Sequence, residues 1–135
     1  MYSDAVIVFR IDPSSGVSPY RQLVHQVRHA LLLGVLRDGD QLPTVKEVVA
    51  SVAINPNTVL KAYRELEFEG LAEGRPGVGT FITRSLADTS LAAHAALRKD
   101  LSGWLAKARR AGLDDDSIAA LFESTFRAGL DEGVA

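Results

Sequence analysis

The sequence predicts an α+β fold, in which three short helices precede a β-hairpin and two longer helices follow it. Three observations support this prediction. Apolar residues recur at helical spacing in segments that begin with capping residues. A glycine-rich stretch at 74–79 separates two short runs of strand-forming residues. Beyond residue 90 the chain is rich in Ala, Leu, Arg and Lys, which favour helix.

The composition is that of a globular protein without thiol chemistry. Of the 135 residues 47% are apolar, which suffices for a buried core, and none is cysteine. Disulfides, thiolate nucleophiles and zinc–thiolate sites are therefore excluded. No apolar run approaches the roughly 20 residues that span a bilayer, and residues 1–10 lack the pattern of a secretory signal. We expect a cytoplasmic protein with no membrane partner.

The charge is not that of a basic protein, since the formal net charge is −2. Residues 10–84 carry nine Lys and Arg against eight Asp and Glu, whereas residues 85–135 carry six against eight. Any affinity for nucleic acid must therefore come from a local basic face.

The N-terminal segment predicts an extended element followed by a first helix. Residues 6–11 are β-branched and aromatic, which predicts a short strand or an extended arm. Ser18 as N-cap and Pro19 at the first helical position predict a helix over about 19–33. Gly34 is a plausible C-terminal stop for this helix.

Two further helices follow at short range. Thr44 and Glu47 are spaced as a capping box and predict a helix over about 45–52. Asn55 followed by proline predicts another N-cap and a helix over about 56–69. Its predicted inner face consists of Val59, Ala62, Tyr63 and Leu66. Two short helices joined in this way, the second sharply capped, are the outline of a helix-turn-helix.

A β-hairpin over about 71–83 would follow the third helix directly, which is the position of a wing. The chain then continues through a polar stretch at 85–90 into a helix ending near Ala111, and a second amphipathic helix over about 115–130. We therefore predict a winged helix-turn-helix domain at 1–84, including the strand or arm, and a helical segment at 85–135.

Motifs at consistent spacing then identify a family. The stretches 39–44, 55–67, 69–71 and 75–81 resemble the DNA-binding domain of GntR-family regulators. The opening residues 9–12 and 18–23, together with the short tail, resemble the YtrA-type subfamily. This resemblance, over about residues 8–84, implies a homodimeric transcription factor, usually a repressor, that binds a double-stranded DNA operator. It also implies genes beside membrane transporters as targets, and C-terminal helices that mainly dimerise.

The third helix is the expected recognition helix, whose first residues meet base edges in the major groove. Its N-terminal amides are also suited to hold a phosphate. The candidate DNA-binding residues of the helices are Lys46, Asn55, Pro56, Asn57, Thr58, Lys61 and Arg64. Lys46 stands where GntR relatives usually have arginine, which puts a bidentate guanine contact in doubt. Asn55 could instead be only a cap, and Lys61 and Arg64 could be surface charges that pair with nearby acids.

In the hairpin, the candidate DNA-binding residues are Arg75, Gly77, Gly79 and Thr80. Arg75 could enter the minor groove, the glycines allow a close approach of the backbone, and Thr80 could donate to a phosphate. Alternatively, the glycines serve only the turn and Arg75 is an exposed loop charge. Leu60 could contact a thymine methyl group or simply pack, and we favour packing.

The C-terminal helices are too short to bury both of their apolar stripes alone, so we expect a second copy to cover them. The candidate dimerisation residues are Leu101, Trp104, Leu105, Ala108, Ile118, Leu121, Phe122 and Phe126. Two-fold symmetry then predicts a near-palindromic operator. Two alternatives stay open. In one, an unknown small-molecule effector binds between these helices and the DNA-binding domain, against Trp104, Phe122 and Phe126. In the other, the fold binds proteins rather than DNA.

Catalysis, cofactors and metals find little support in the sequence. It offers no plausible nucleophile–base pair, no phosphate-binding glycine loop between strand and helix, and no metal triad, so we expect neither an enzyme nor a cofactor. His25 and His29 are spaced to chelate a metal, but they fall opposite the apolar stripe of the first helix, so we expect a solvated face. The run 114–116 is more typical of a helix cap than of a cation site.

Overall fold

The structure is a computed structural model that describes residues 7–87 and 91–133 and separates into two compact units, 1–91 and 92–135. The elements are α1 (Pro19–Leu32), α2 (Val45–Val52), α3 (Pro56–Phe68), β1 (Ala72–Arg75), β2 (Gly79–Ile82), α4 (Leu91–Arg110) and α5 (Asp115–Gly133). The predicted fold is confirmed: a three-helix helix-turn-helix with a two-stranded wing, followed by two helices.

The segment before α1 is an extended arm. Residues 7–11 form no strand, and Val6 of the predicted strand or arm lies outside the described residues. The arm is fixed by Phe9, which is buried in the core, and by a glutamine on α1. Gln26 accepts a hydrogen bond from the backbone N–H of Arg10 at 2.9 Å and donates one to the carbonyl of Arg10 at 2.6 Å. The Gln26 amide thus makes the two backbone hydrogen bonds that a neighbouring strand would make in a β-sheet.

The caps of α2 and α3 form as predicted. The Thr44 hydroxyl accepts from the N–H of Glu47 while the Glu47 carboxylate accepts from the N–H of Thr44, both at 3.1 Å. Asn55 Oδ1 accepts from the N–H of Asn57 at 2.8 Å. Between the two helices Ala53 adopts a left-handed conformation with φ +53°, which ends α2 and turns the chain into α3. Ser18 occupies the predicted N-cap of α1, but its side chain makes no cap hydrogen bond.

Helices α1 and α3 lie side by side and run in the same direction. Lys61 contacts Tyr20 in the first half of each helix, and Arg28 in the second half of α1 forms an ion pair with Glu69 at the C-cap of α3. The largest fully buried side chains come from all parts of the domain: Leu23, Val27, Leu31, Leu36, Leu42, Val48, Val59, Leu66 and Ile82. Burial of each stabilises the fold by about 1.5–3 kcal/mol, and this core holds α3 against the rest of the domain.

The wing is an antiparallel pair, in register from Ala72↔Ile82 to Arg75↔Gly79. A third segment, which the sequence did not indicate, lies along β2. Gln41 forms an isolated antiparallel bridge with Phe81, and backbone hydrogen bonds of 2.8 Å flank this bridge on both sides. The wing is therefore anchored to the loop that precedes α2.

The second unit consists of two helices joined by a short turn. Gly112, with φ +94°, ends α4, and Asp114 caps α5 by accepting from the N–H of Ser117 at 2.8 Å. The hydrogen bonds from the side chain and then the backbone of Ser117 lower the pKa of Asp114. Ala108 and Ile118 are buried beside this turn. Within the described residues, neither α4 nor α5 nor any other helix has the length and apolarity to cross a membrane.

Candidate nucleic-acid interface

One side of α3 points away from the core and carries Asn57, Leu60, Lys61 and Arg64, which together we name the outer face of α3. All four are exposed, whereas the predicted inner face, Val59 with Ala62, Tyr63 and Leu66, is buried. Among the other candidates on α3, Pro56 is exposed and Thr58 is half-buried. The split between the two sides follows from helical periodicity.

The N-terminal amides of α3 are engaged within the chain. Pro56 has no N–H, the N–H of Asn57 is bound by the cap, and the N–H of Thr58 donates to the Asn55 carbonyl at 2.9 Å. The expectation that these amides hold a phosphate is therefore wrong for this conformation. Asn55 does cap the helix, as predicted, and its side chain is exposed beside the outer face of α3.

The two cations of the outer face differ in their surroundings. The ammonium nitrogen of Lys61 lies 4.2 Å from the centre of the Tyr20 ring, a cation–π contact across to α1. The structure thus gives Lys61 an aromatic partner from α1 rather than the acidic one considered above. Arg64 is exposed and forms no ion pair within the described ranges 7–87 and 91–133. Its charge is available to an external anion.

Leu60 is covered only in part, since it retains 37% of its accessible surface. It therefore packs partly against this chain, and a contact with a thymine methyl group stays a prediction. Helical periodicity places Leu60 at the border of the apolar stripe, and the sequence alone does not tell whether a neighbouring element covers it. Within the described residues, no element covers Leu60 fully.

The N-terminus of α2 and the wing meet at a shallow concavity of about 550 Å³. Thr44 lines it on the helix side and residues 74–80 line it on the wing side. Lys46, in the first turn of α2, is exposed. Thr80 is half-buried, and its carbonyl accepts from the N–H of Leu42 at 2.8 Å. Two elements that carry predicted contacts thus lie next to each other.

The wing turn requires its glycines. Gly77 has φ +74° and follows proline, and the N–H of Val78 donates to the carbonyl of Arg75 at 3.0 Å, as in a type II turn. Gly79 has φ +145°, and a Cβ there would lie 2.5 Å from Nε2 of Gln41. Gly77 therefore serves the turn, whereas Gly79 is the first residue of β2 and has a backbone conformation that favours glycine. Whether either glycine also approaches DNA closely stays a prediction.

Arg75 lies at the end of β1 rather than at the apex of the turn. Its guanidinium carbon is 4.3 Å from the centre of the Phe81 ring, and its Nε is 3.8 Å from the Glu73 carboxylate. Both charged side chains are more than half exposed, so this ion pair contributes at most about 1 kcal/mol.

The candidate dimerisation residues fall into two groups. Ala108 and Ile118 are buried within one copy beside the α4–α5 turn, and Trp104 and Leu105 are half-buried. The exposed members are Leu101, Leu121, Phe122 and Phe126. The rings of Phe122 and Phe126 stack with their centres 6.1 Å apart. A shallow depression on α5 is lined by a different face of this helix, including Glu123, Ser124 and Arg127.

The histidines of α1 are exposed, as predicted. His25 and His29 stack with ring centres 6.4 Å apart. Across the part of the chain that the structure describes, no three His, Asp or Glu side chains come together in a group that could hold a metal ion.

Known proteins share this domain. A family model described as bacterial regulatory proteins, gntR family, matches residues 19–82. The HTH-type transcriptional repressor YtrA of Bacillus subtilis (strain 168) is 42% identical over 82 residues, which are 61% of this chain and 63% of that protein, just under two thirds of its length. The HTH-type transcriptional regulator Rv1152 of Mycobacterium tuberculosis (strain ATCC 25618 / H37Rv) is 39% identical over 94 residues, which are 70% of this chain and 76% of that protein.

A solved structure extends the similarity along most of the chain. A protein described as a transcriptional antiterminator from Listeria monocytogenes EGD-e is 30% identical and superposes with a TM-score of 0.56 over 91% of each chain. The matched family segment begins with α1 and ends with β2, so it contains the outer face of α3 and the wing. The chain therefore belongs to the gntR family of bacterial regulatory proteins and is a DNA-binding transcriptional regulator, not an enzyme.

Proposed function

We propose that this protein represses transcription by binding a near-palindromic operator as a homodimer, with the outer face of α3 in the major groove of each half-site. The observation that carries the proposal is this outer face itself, which offers an exposed asparagine and two exposed cations. Repression is supported by the similarity to the transcriptional repressor YtrA of Bacillus subtilis.

Each polar group of the interface has a physical role in this proposal. Asn57 is short enough to approach a base edge and can bind adenine through two hydrogen bonds. Lys61 and Arg64 lie on later turns, where phosphates of the groove wall supply the anions they need. Lys46 adds a phosphate contact at the first turn of α2, where its single ammonium group suffices.

The wing completes the contact in the adjacent minor groove. The concavity between Thr44 and residues 74–80 would receive the sugar–phosphate backbone that separates the two grooves. Arg75 would leave Phe81 and Glu73 to enter the minor groove, where narrow A·T-rich DNA concentrates negative potential. The exposed ion pair that it gives up contributes at most about 1 kcal/mol, and the cation–π contact with Phe81 about 0.5–1 kcal/mol, so contacts with the groove must offset both.

Dimerisation is supported by the apolar surface of the second unit. The exposed large apolar side chains of α4 and α5 are Leu97, Leu101, Leu121, Phe122, Phe126 and Leu130. Phe122, Phe126 and Leu130 recur at a spacing of four residues and so share one face of α5. Exposed apolar faces are typical of an interface, and a two-fold axis allows the same face of a second copy to cover it. Such a dimer would present two copies of α3 about one turn of DNA apart.

In vitro selection from a random duplex library with the full-length chain tests the proposal. We expect a near-palindromic sequence to be enriched and to be bound with an affinity that falls steeply with salt. Absence of enrichment, or equal affinity for scrambled duplexes, would contradict it. A reporter with the selected operator over its promoter then tests repression, and increased expression would indicate an activator instead.

The regulated genes and a possible effector are tested by separate experiments. The resemblance to YtrA-type regulators favours transporter genes, and deletion of the gene should then raise transporter transcripts. An effector bound near Trp104, Phe122 and Phe126 stays the alternative. A ligand that binds the folded chain raises its melting temperature, so thermal-shift screening with loss of operator binding as the second readout tests it.

A further inference from the structure

Leu60 is the apolar member of the outer face of α3, and its position needs an explanation. Leu60 retains 37% of its accessible surface, whereas the preceding residue, Val59, is fully buried. Leu60 lies one helical turn after Pro56 and one turn before Arg64, and about 60° around the helix axis from Asn57. A groove that receives Asn57 and Arg64 therefore receives Leu60 as well.

The chemistry of leucine restricts what it can contact in such a groove. Leucine neither donates nor accepts a hydrogen bond, and placing it against a polar base edge leaves that edge unpaired at a cost. The major-groove edges of the four base pairs offer one apolar group, the C5-methyl group of thymine. Removal of both apolar surfaces from water favours this contact over any other base.

We propose that Leu60 determines operator specificity by packing against the C5-methyl group of a thymine in each half-site. This inference rests on the proposed function, since it requires that α3 lies in the major groove. Because the Leu60 side chain contributes no hydrogen bond and no charge, its contribution to operator affinity should not depend on the salt concentration.

Replacement of thymine by deoxyuridine removes that methyl group and leaves every hydrogen-bonding group of the base pair in place. Each thymine of the selected half-site is replaced in turn, and affinity is measured by fluorescence anisotropy for the full-length protein and for Leu60→Ala. Replacement at one position should lower the operator affinity of the unaltered protein by about fourfold, which is the factor expected for the burial of one methyl group. Leu60→Ala should bind thymine and deoxyuridine equally well at that position, as a double-mutant cycle requires.

Two further variants serve as controls. Phe68→Ala removes another exposed apolar side chain, at the far end of α3, and should keep the fourfold sensitivity. Leu60→Met keeps an apolar side chain of similar size and should retain most of it. Melting temperatures verify that the three variants fold.

The outcomes separate this inference from the proposed function. The role of Leu60 would be overturned if no single deoxyuridine changes the operator affinity of the unaltered protein. It would also be overturned if Leu60→Ala loses as much affinity on this replacement as the unaltered protein does. Either result would leave operator binding intact. If the unaltered protein selects no operator at all, the proposed function fails, and the role of Leu60 fails with it.

Discussion

At the scale of single residues, Tyr63 shows how one side chain joins α3 to the start of α2. Its buried hydroxyl donates a hydrogen bond of 2.5 Å to the carbonyl of Pro43, immediately before the capping box. Burial raises the pKa of Tyr63, and the negative charge of Glu47 raises it further. The neutral phenol is thus the form that the folded protein requires.

Replacing Tyr63 by Phe should lower the free energy of unfolding by about 1–2 kcal/mol, because the Pro43 carbonyl loses its partner. The native pKa is raised, so the stability from this group is fully present below the unfolded value of about 10 and falls at higher pH, by up to about 1.4 kcal/mol per pH unit. Urea denaturation of both proteins between pH 8 and pH 11 measures this. A difference between them that does not shrink above pH 10 would contradict the argument.

Arg64 provides a test of charge at the interface. Arg64→Ala should weaken operator binding and reduce the slope of log K against log salt by about 1, because one phosphate contact is lost. Arg98→Ala removes an exposed arginine of α4 and is the matched control, with no expected effect on the slope. Equal slopes for the two variants would place Arg64 away from the DNA backbone.

The glycines of the wing provide a test of backbone conformation. Gly79→Ala should destabilise the protein by about 1–2 kcal/mol, because alanine is strained at φ +145°, whereas the end of the flexible Gln41 side chain can move away from the new Cβ. Gly74→Ala in the same hairpin is the control. Its Cβ would meet Glu67 at an ordinary 3.4 Å, so a change within about 0.5 kcal/mol is expected in the same thermal denaturation. Equal losses of stability in the two variants would show that the positive φ of Gly79 does not require glycine.

At the scale of elements, the sequence predicts the helix-turn-helix well, because its boundaries are set by local side-chain signals. Thr44 and Asn55 each bond to an amide two or three residues ahead, so the predicted starts of α2 and α3 coincide with the observed ones. Gly112 likewise separates α4 from α5. Signals of this kind need no knowledge of the tertiary structure.

Features that depend on distant residues were not predictable in the same way. The bridge from Gln41 to Phe81 and the contact of Lys61 with Tyr20 each join residues about 40 positions apart. The exposure of Leu60 depends on which elements cover the edge of the apolar stripe. The sequence thus indicated the residue types of the interface, whereas their partners required the fold.

A charge added at the N-terminus of α3 tests whether this end of the helix lies against DNA. Asn55→Asp keeps the cap and adds a negative charge where the helix dipole favours one, so the melting temperature should stay equal or rise. If DNA lies against this end, the same charge repels phosphates and lowers operator affinity by about tenfold or more. Circular dichroism and anisotropy measure the two effects. Unchanged affinity in a stable variant would exclude the N-terminus of α3 from the interface.

At the scale of the whole molecule, the second unit should control DNA binding through pairing. Phe126→Glu places a charge on the exposed apolar face of α5 and should convert a dimer into a monomer, as measured by sedimentation. The monomer contacts one half-site and should lose operator affinity. Ser124→Glu adds the same charge on the face lined by Glu123 and Arg127, and should stay dimeric with full affinity. A dimeric Phe126→Glu would assign pairing to another surface.

The central claim is that the outer face of α3 and the wing contact DNA together, and titration of the isotope-labelled full-length protein with its selected operator tests it most directly. We predict that amide resonances shift most at residues 44–47, 55–64 and 75–80 and saturate at one duplex per two chains. Saturation with the largest shifts elsewhere, and none on α3 or the wing, would contradict the account.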